Sequence, residues 1–181
     1  MNEICEEEAL SELIRIKAAY QRFIRDNFET SAQNCQTCPT FGVCCTDAQF
    51  VNVHITPLEA VAIKNALEQK LTEKEKQKLF SKIAETIEKY DLNQKGDTFE
   101  QTFACPLFTT QNGCLVHESG TKPTACIQHA CYQQQEDLPP QCLQDYTEKR
   151  IEKLNYEAYG HDWRWLPLPL QLAAIISGHE K

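Results

Sequence analysis

Ten cysteines in a chain of 181 residues constrain the fold more than any other feature, because most of them fall into two groups far apart in sequence. Cys35, Cys38, Cys44 and Cys45 form the first group, and Cys105, Cys114, Cys126 and Cys131 the second; Cys5 and Cys142 stand apart. In a reducing compartment disulfides seldom persist, so this density points first to metal binding or redox chemistry. A chain of this length buries a sizeable core without covalent help. A disulfide framework and unligated thiols are the competing readings.

The charge balance narrows the class. With 26 acidic against 18 basic residues the formal charge is −8, and Lys and Arg are not clustered. No nucleic-acid partner is expected, since phosphate neutralisation needs concentrated positive charge. The opening MNEICEEEAL is acidic where a secretory leader needs a positive segment followed by an apolar run, so a cytoplasmic location is expected. The longest apolar stretch, Trp163 to Ile176, is interrupted by Arg164, Pro167, Pro169 and Gln171 and falls short of the roughly 20 residues of a bilayer span. No membrane span is expected.

Residues 6–28 carry Leu10, Leu13, Ile14, Ala18, Phe23, Ile24 and Phe28 mostly at intervals of three and four, which predicts a first helix. The polar run 30–34 ends it and delivers the chain to a knuckle-like cysteine loop. Phe50 to Ile55 alternates, with Val51, Val53 and Ile55 on one face, and predicts a strand. Thr56-Pro57-Leu58-Glu59 then sets a threonine cap, a proline at the first helical position and a glutamate three residues past the cap. Thr72 and Glu75 repeat the cap. The two helices, about 57–70 and 73–90, are expected to bury Val61, Ala62, Leu67, Leu79, Ile83 and Ile87, and their short join predicts an antiparallel pair. A hairpin turned through Asn112-Gly113 is expected between Phe103–Phe108 and Cys114–His117. Pro139-Pro140 opens a last long helical pattern through Leu143, Tyr146, Ile151 and Leu154 toward Gly160.

The expected fold class is therefore α+β, mainly helical, with a small cysteine-rich strand and loop centre braced by helices. Residues 1–34 form the N-terminal helix, 35–135 the cysteine-cluster metal-binding domain, and 136–181 a C-terminal helix and apolar tail packing on that domain. The tail carries Trp163, Trp165, Leu166, Leu168, Leu170, Ile175 and Ile176; it reads as a cover for the core, with a protein partner at 161–177 as the alternative.

The C-x-x-C pair Cys35 and Cys38 suits a metal, because two residues of slack let both thiolates face one ion while turn amides point at the sulfurs. Proline after Cys38 and Cys105, with Gly42 and Gly113 close to other cysteines, supplies the backbone such loops need. Vicinal Cys44 and Cys45 would point apart in extended structure and so serve different metals, or divide into one ligand and one packed thiol. His117 and His129 lie inside the second group, where thiolates suffice without them. His54 and His161 read as hydrogen-bonded or solvent-facing, and Cys5 and Cys142 as packed on helices.

These residues resemble the cysteine-cluster (YkgJ-like) family, described as a zinc- or iron-chelating domain and recognised by a C-x-x-C-x-x-C-C opening. Cys35, Cys38, Cys44 and Cys45 match that opening, Cys105-Pro106-Leu107-Phe108 its C-P-[FL]-L segment, Gly113-Cys114-Leu115-Val116-His117 its G-x-C-x-I-Y segment, and Lys122-Pro123-Thr124-Ala125-Cys126 its R-P-x-x-C. The resemblance covers roughly residues 35–131. The chain departs from it in the five residues between Cys38 and Cys44, in Lys122 for arginine, in His117 for tyrosine, and in Cys131 at a C-x4-C spacing. The resemblance implies a metal-chelating domain, and one branch of the family is associated with lysine methylation of flagellin. No glycine-rich strand-to-helix turn for a nucleotide-like cofactor accompanies it here.

The expected cofactor is zinc or an iron-sulfur cluster, ligated by Cys35, Cys38, Cys44, Cys45, Cys105, Cys114, Cys126 and Cys131, with Lys122 compensating their charge. Three functional classes follow. A structural or metal-carrying protein has a closed, inert site; an iron-sulfur enzyme or electron carrier absorbs visible light and keeps an open iron position; a redox sensor releases its metal on oxidation.

Overall fold

The computed structural model describes residues 4–33, 38, 40–49, 51–132 and 134–178, with Ser31, Gln33 and Cys131 described by their backbone alone. Seven helices and three two-stranded antiparallel ladders make up the described residues, a mainly helical α+β arrangement. None of these helices is long and apolar enough to cross a membrane.

Helix α1, Glu6–Asn27, opens on three glutamates that answer the positive end of its dipole. It buries Ala9, Leu13, Ile16, Lys17, Tyr20 and Ile24. Ile14 and Phe23, expected inside, stay largely exposed; the buried stripe is rotated from the expected one and passes through a lysine. A single 3-10 turn, Glu29–Ser31, leads into strand β1, Ala32–Gln33. Helix α2, Val43–Thr46, is one turn long and carries Cys44 and Cys45.

Val51, Val53 and Ile55 are all buried, as the alternation predicts. Only His54–Ile55 has a ladder partner, however, so strand β2 is shorter than expected. Its neighbour is β6, Leu166–Pro167, from the far end of the chain, with Ile55 opposite Leu166 and His54 opposite Pro167. Helices α3, Pro57–Lys70, and α4, Glu73–Lys89, each begin with a complete capping box, Thr56 with Glu59 and Thr72 with Glu75. The expected direct pairing of α3 with α4 gives way to a different packing. Both lean on α7, Leu168–Ile176, the most apolar helix, which lies against each of them. A helix apolar on every side is best buried between others.

Strands β3, Phe108–Thr109, and β4, Gly113–Cys114, form the expected hairpin, with Phe108 opposite Cys114. Gly113 belongs to the ladder rather than the turn, where its φ of +67° is accessible to glycine. Helix α5, Thr124–Gln128, carries Cys126, and strand β5, Cys131–Tyr132, returns to pair with β1. Helix α6, Gln141–Tyr159, ends at Gly160 and packs against α1.

The main core lies among α3, α4, α7 and the hairpin loops, including Ile63, Ile83, Phe103, Leu107, Leu168 and Leu172. A second cluster joins α1, α3 and α6 through Leu13, Leu58, Ile151 and Leu154. Cys105, Cys114 and Cys126 pack on the edge of the main core.

Candidate metal centre

Two loops are set side by side by main-chain hydrogen bonds. The Phe103 amide donates to the Val51 carbonyl at 3.0 Å, and the Cys105 amide to the Cys45 carbonyl at 2.7 Å. These bonds bring the end of the first cysteine group against the start of the second. Pro106 then turns the chain, and the Leu107 amide points back at the Cys105 sulfur, the arrangement expected where a loop amide faces a thiolate. The Leu115 amide donates to the Leu107 carbonyl at 2.9 Å, closing the hairpin that holds Cys114. Gly42 has a φ of +84°, and a Cβ there would lie 2.0 Å from the Phe108 ring. Glycine is thus required for the α2 turn to sit on the hairpin.

Five thiols feel one another's charge. The charge of Cys44, Cys105 and Cys126 works to raise Cys45, that of Cys114 and Cys44 to raise Cys126, and that of Cys126 and Cys114 to raise Cys105. Burial, with neighbouring thiols adding to it, pushes Cys105 up to about 12 and Cys126 up to about 11. Cys44 and Cys45 lie in a helical turn rather than in extended chain, so their side chains are not opposed. A hydrogen bond from Cys45 pulls Cys44 well below the ordinary thiol range, and His129 lowers it further. The shared proton drives Cys45 correspondingly up. None of the thiols of Cys5, Cys38, Cys44, Cys45, Cys105, Cys114, Cys126 and Cys142 forms a disulfide.

The other expected ligands are distributed differently. Cys38 is half-buried with its sulfur 3.5 Å from the Thr40 hydroxyl. Cys35 lies outside the described residues. Cys131 is placed by its backbone in β5, opposite Gln33. Cys5 and Cys142, expected to be packed on their helices and not to ligate, are instead exposed. Among the described residues, no three His, Cys, Asp or Glu side chains form a set that could hold a metal ion as placed.

Three lysines favour the charged form of two of the thiols. Lys122, expected from sequence, stabilises the charge of Cys126, as does Lys17; Lys82 does the same for Cys105. Lys17 is 1% exposed and pairs at 2.8 Å with Glu59, which is 0% exposed. Its ammonium also donates to the carbonyls of Thr121 at 3.2 Å and Lys122 at 3.0 Å. The sequence reading missed this pair, although a signal was present. Leu13, Lys17, Tyr20 and Ile24 fall at helical spacing on the buried face of α1, and a lysine inside an apolar stripe needs a buried partner.

His117 is exposed, and burial of part of its ring together with nearby Lys122 lowers its pKa. His54 is buried at the β2–β6 ladder, bonded through Nε2 to the Thr98 carbonyl at 2.9 Å and stacked on Phe99. Elsewhere an open cleft of about 660 Å³ lies between residues 96–99, α6 and residues 161–165; Trp163 and Trp165 line it, and no cysteine does. The remainder of the apolar tail is largely core, with Leu166, Leu168, Leu172 and Ile175 buried.

Comparison of the chain with protein-family models, with curated proteins and with solved structures gives no match.

Proposed function

We propose that this chain is a metal-binding protein of the cysteine-cluster type, holding zinc or an iron-sulfur cluster through thiolates, with a structural or metal-carrying role. Cys38, Cys44, Cys45, Cys105, Cys114 and Cys126 supply ligands from the described side chains, and Cys35 and Cys131 complete the expected set. The observation that carries the reading is the main-chain bond from Cys105 to Cys45, which sets the two cysteine groups side by side where Cys105, Cys114 and Cys126 pack against one core edge. Thiolates are the ligating form, and raised thiol pKa values fall when a cation replaces the proton. Metal binding on this account draws the thiolates inward and releases protons.

Anaerobically purified protein is expected to hold zinc, or iron with acid-labile sulfide and broad visible absorbance, at a fixed ratio per chain. Replacing Cys105 and Cys126 together by serine is expected to abolish it. A metal-free wild-type chain that stays folded with all ten thiols titratable overturns the reading.

A second reading, a thiol redox sensor, draws on the Cys44 and Cys45 pair. The thiolate favoured at Cys44 is half of a dithiol in one helical turn and is the form that reacts with peroxide. Metal release in step with the loss of two titratable thiols on peroxide treatment would favour this reading over an inert site.

A further inference from the structure

The open cleft beside α6 holds both of the chain's tryptophans, and its volume of about 660 Å³ falls in the range of small-molecule sites. Trp163 and Trp165 are half-buried. Among the described residues neither indole N–H donates a hydrogen bond, and neither ring meets another ring or a cation. Phe99, 55% exposed, forms a further wall. Its exposure is not looseness: its amide donates to the Asp97 carboxylate at 2.9 Å, the Asn52 side-chain amide donates to its carbonyl, and its ring stacks on buried His54 with centroids 4.3 Å apart. The tryptophan segment is tied down as well, through Arg164 to the Gln94 carbonyl and through Leu166 opposite Ile55. Large rings are normally covered by their own chain. Here they are held in place around a concavity with their faces open.

The polar groups of the cleft are mostly donors. Basic side chains outnumber acidic ones in its lining, Lys149, Lys153 and Arg164 against Asp97 and Glu152, on a chain whose formal charge is −8. Lys153 faces Glu157 at 3.7 Å, and Asp97 is taken up by the Phe99 amide. Lys149 and Glu152 have no ion-pair partner among the described residues, and Arg164 commits one N–H to Gln94 out of the five a guanidinium carries. Open ring faces suit stacking against a flat ring, and two cations with two unused indole N–H groups suit an anion rich in acceptors. We propose that the cleft binds a small anion bearing a flat ring, of the nucleoside phosphate class: the ring stacks on the tryptophans, the phosphate meets Lys149 and Arg164, and Glu152 accepts a ribose hydroxyl. No cysteine lines the cleft, so this proposal stands apart from the metal-binding reading.

Because both tryptophans lie in the cleft, the protein's tryptophan emission reports on this site alone. The full chain is titrated with AMP, GMP, adenosine and inorganic phosphate by fluorescence, with affinities measured in parallel by calorimetry. At least one nucleotide is expected to change the emission saturably and to bind about tenfold or more tighter than adenosine or phosphate alone, since only the nucleotide meets rings and cations together. Lys149→Gln alters an exposed side chain and is expected to keep the urea midpoint, weaken the nucleotide about tenfold and leave adenosine as it was. Trp163→Leu, followed by calorimetry, is expected to weaken nucleotide and adenosine alike by about tenfold; Trp165→Leu serves in its place if the urea midpoint shows that the first variant disturbs the fold. A wild-type protein with no saturable response to either nucleotide up to about 1 mM overturns the proposal. Adenosine or phosphate binding as tightly as the nucleotide overturns it as well, because one half of the recognition is then idle. So does a nucleotide affinity that Lys149→Gln and the tryptophan variant leave unchanged, because the ligand then sits elsewhere.

Discussion

Lys17 and Glu59 lie within the protein with almost no water contact, and each depends on the other. A buried ion pair adds little net stability relative to well-packed apolar groups, but removing one partner strands a charge. Lys17→Met is therefore expected to cost about 3–5 kcal/mol in urea unfolding. The Lys17→Met, Glu59→Met double variant should recover part of that loss, and a double variant less stable than the single one would contradict the account. His54 gives a pH dependence of definite sign. Burial lowers its pKa below the ordinary 6.5, against the raising effects of the Thr98 and Asn52 backbone and of Asp97. Above 6.5 the ring is neutral in both states; below it the unfolded chain takes a proton first, so stability falls with pH down to the lowered folded value. Urea midpoints from about pH 7 to about pH 5 should decline less steeply in His54→Leu than in wild type. An equal slope would rule out His54 as a source of the acid sensitivity.

At the level of elements, the same motif has different consequences in two places. Thr72 caps α4 at the surface, and Thr72→Ala is expected to cost about 1 kcal/mol. Thr56 caps α3 from a fully buried position, and its hydroxyl also donates to the Glu59 carboxylate that answers Lys17. Thr56→Ala is expected to cost about 2 kcal/mol or more, because a buried acceptor loses its donor as well. Equal losses in thermal or urea unfolding would contradict the coupling of cap and ion pair. Gly42 is the other sensitive element boundary. Alanine there must hold a left-handed φ and displace the Phe108 ring, so Gly42→Ala is expected to cost about 2 kcal/mol or more. Combining it with Phe108→Ala should cost less than the sum of the two single changes, since the collision is removed. Both boxes were legible in the sequence because a cap is a contact between residues three apart. The α2 turn was not legible, because its fit depends on a ring far along the chain.

Across the whole molecule, legibility follows sequence distance. Helices α1, α3, α4 and α6 and the β3–β4 hairpin could be read from periodicity and turn residues, which act within a few positions. The β1–β5 and β2–β6 ladders could not, because each joins two residues to two others about a hundred positions away, and such short runs carry little pattern. The two cysteine groups stand out in the sequence by their spacing, but the side-by-side placement of Cys45 and Cys105 depends on a main-chain bond that leaves no trace in residue type. The contacts of Lys17, Lys70 and Lys82 with main-chain carbonyls were hidden because an ammonium bound to a carbonyl looks, in sequence, like any solvated lysine. Helix α7 connects these features: it packs on α3 and α4, the helices whose Lys70 and Lys82 reach the hairpin. Leu172 is 0% exposed within it, so Leu172→Ala is expected to cost about 2–5 kcal/mol. Because the cavity loosens the platform from which both lysines reach, hydrogen exchange of the 105–115 amides should quicken as stability falls. Tyr146, 66% exposed on α6, is the control, and Tyr146→Ala is expected to change stability by less than about 0.5 kcal/mol and leave hairpin exchange unchanged. A Leu172→Ala protein that loses stability but keeps the wild-type hairpin exchange would separate the core from the hairpin it is argued to support.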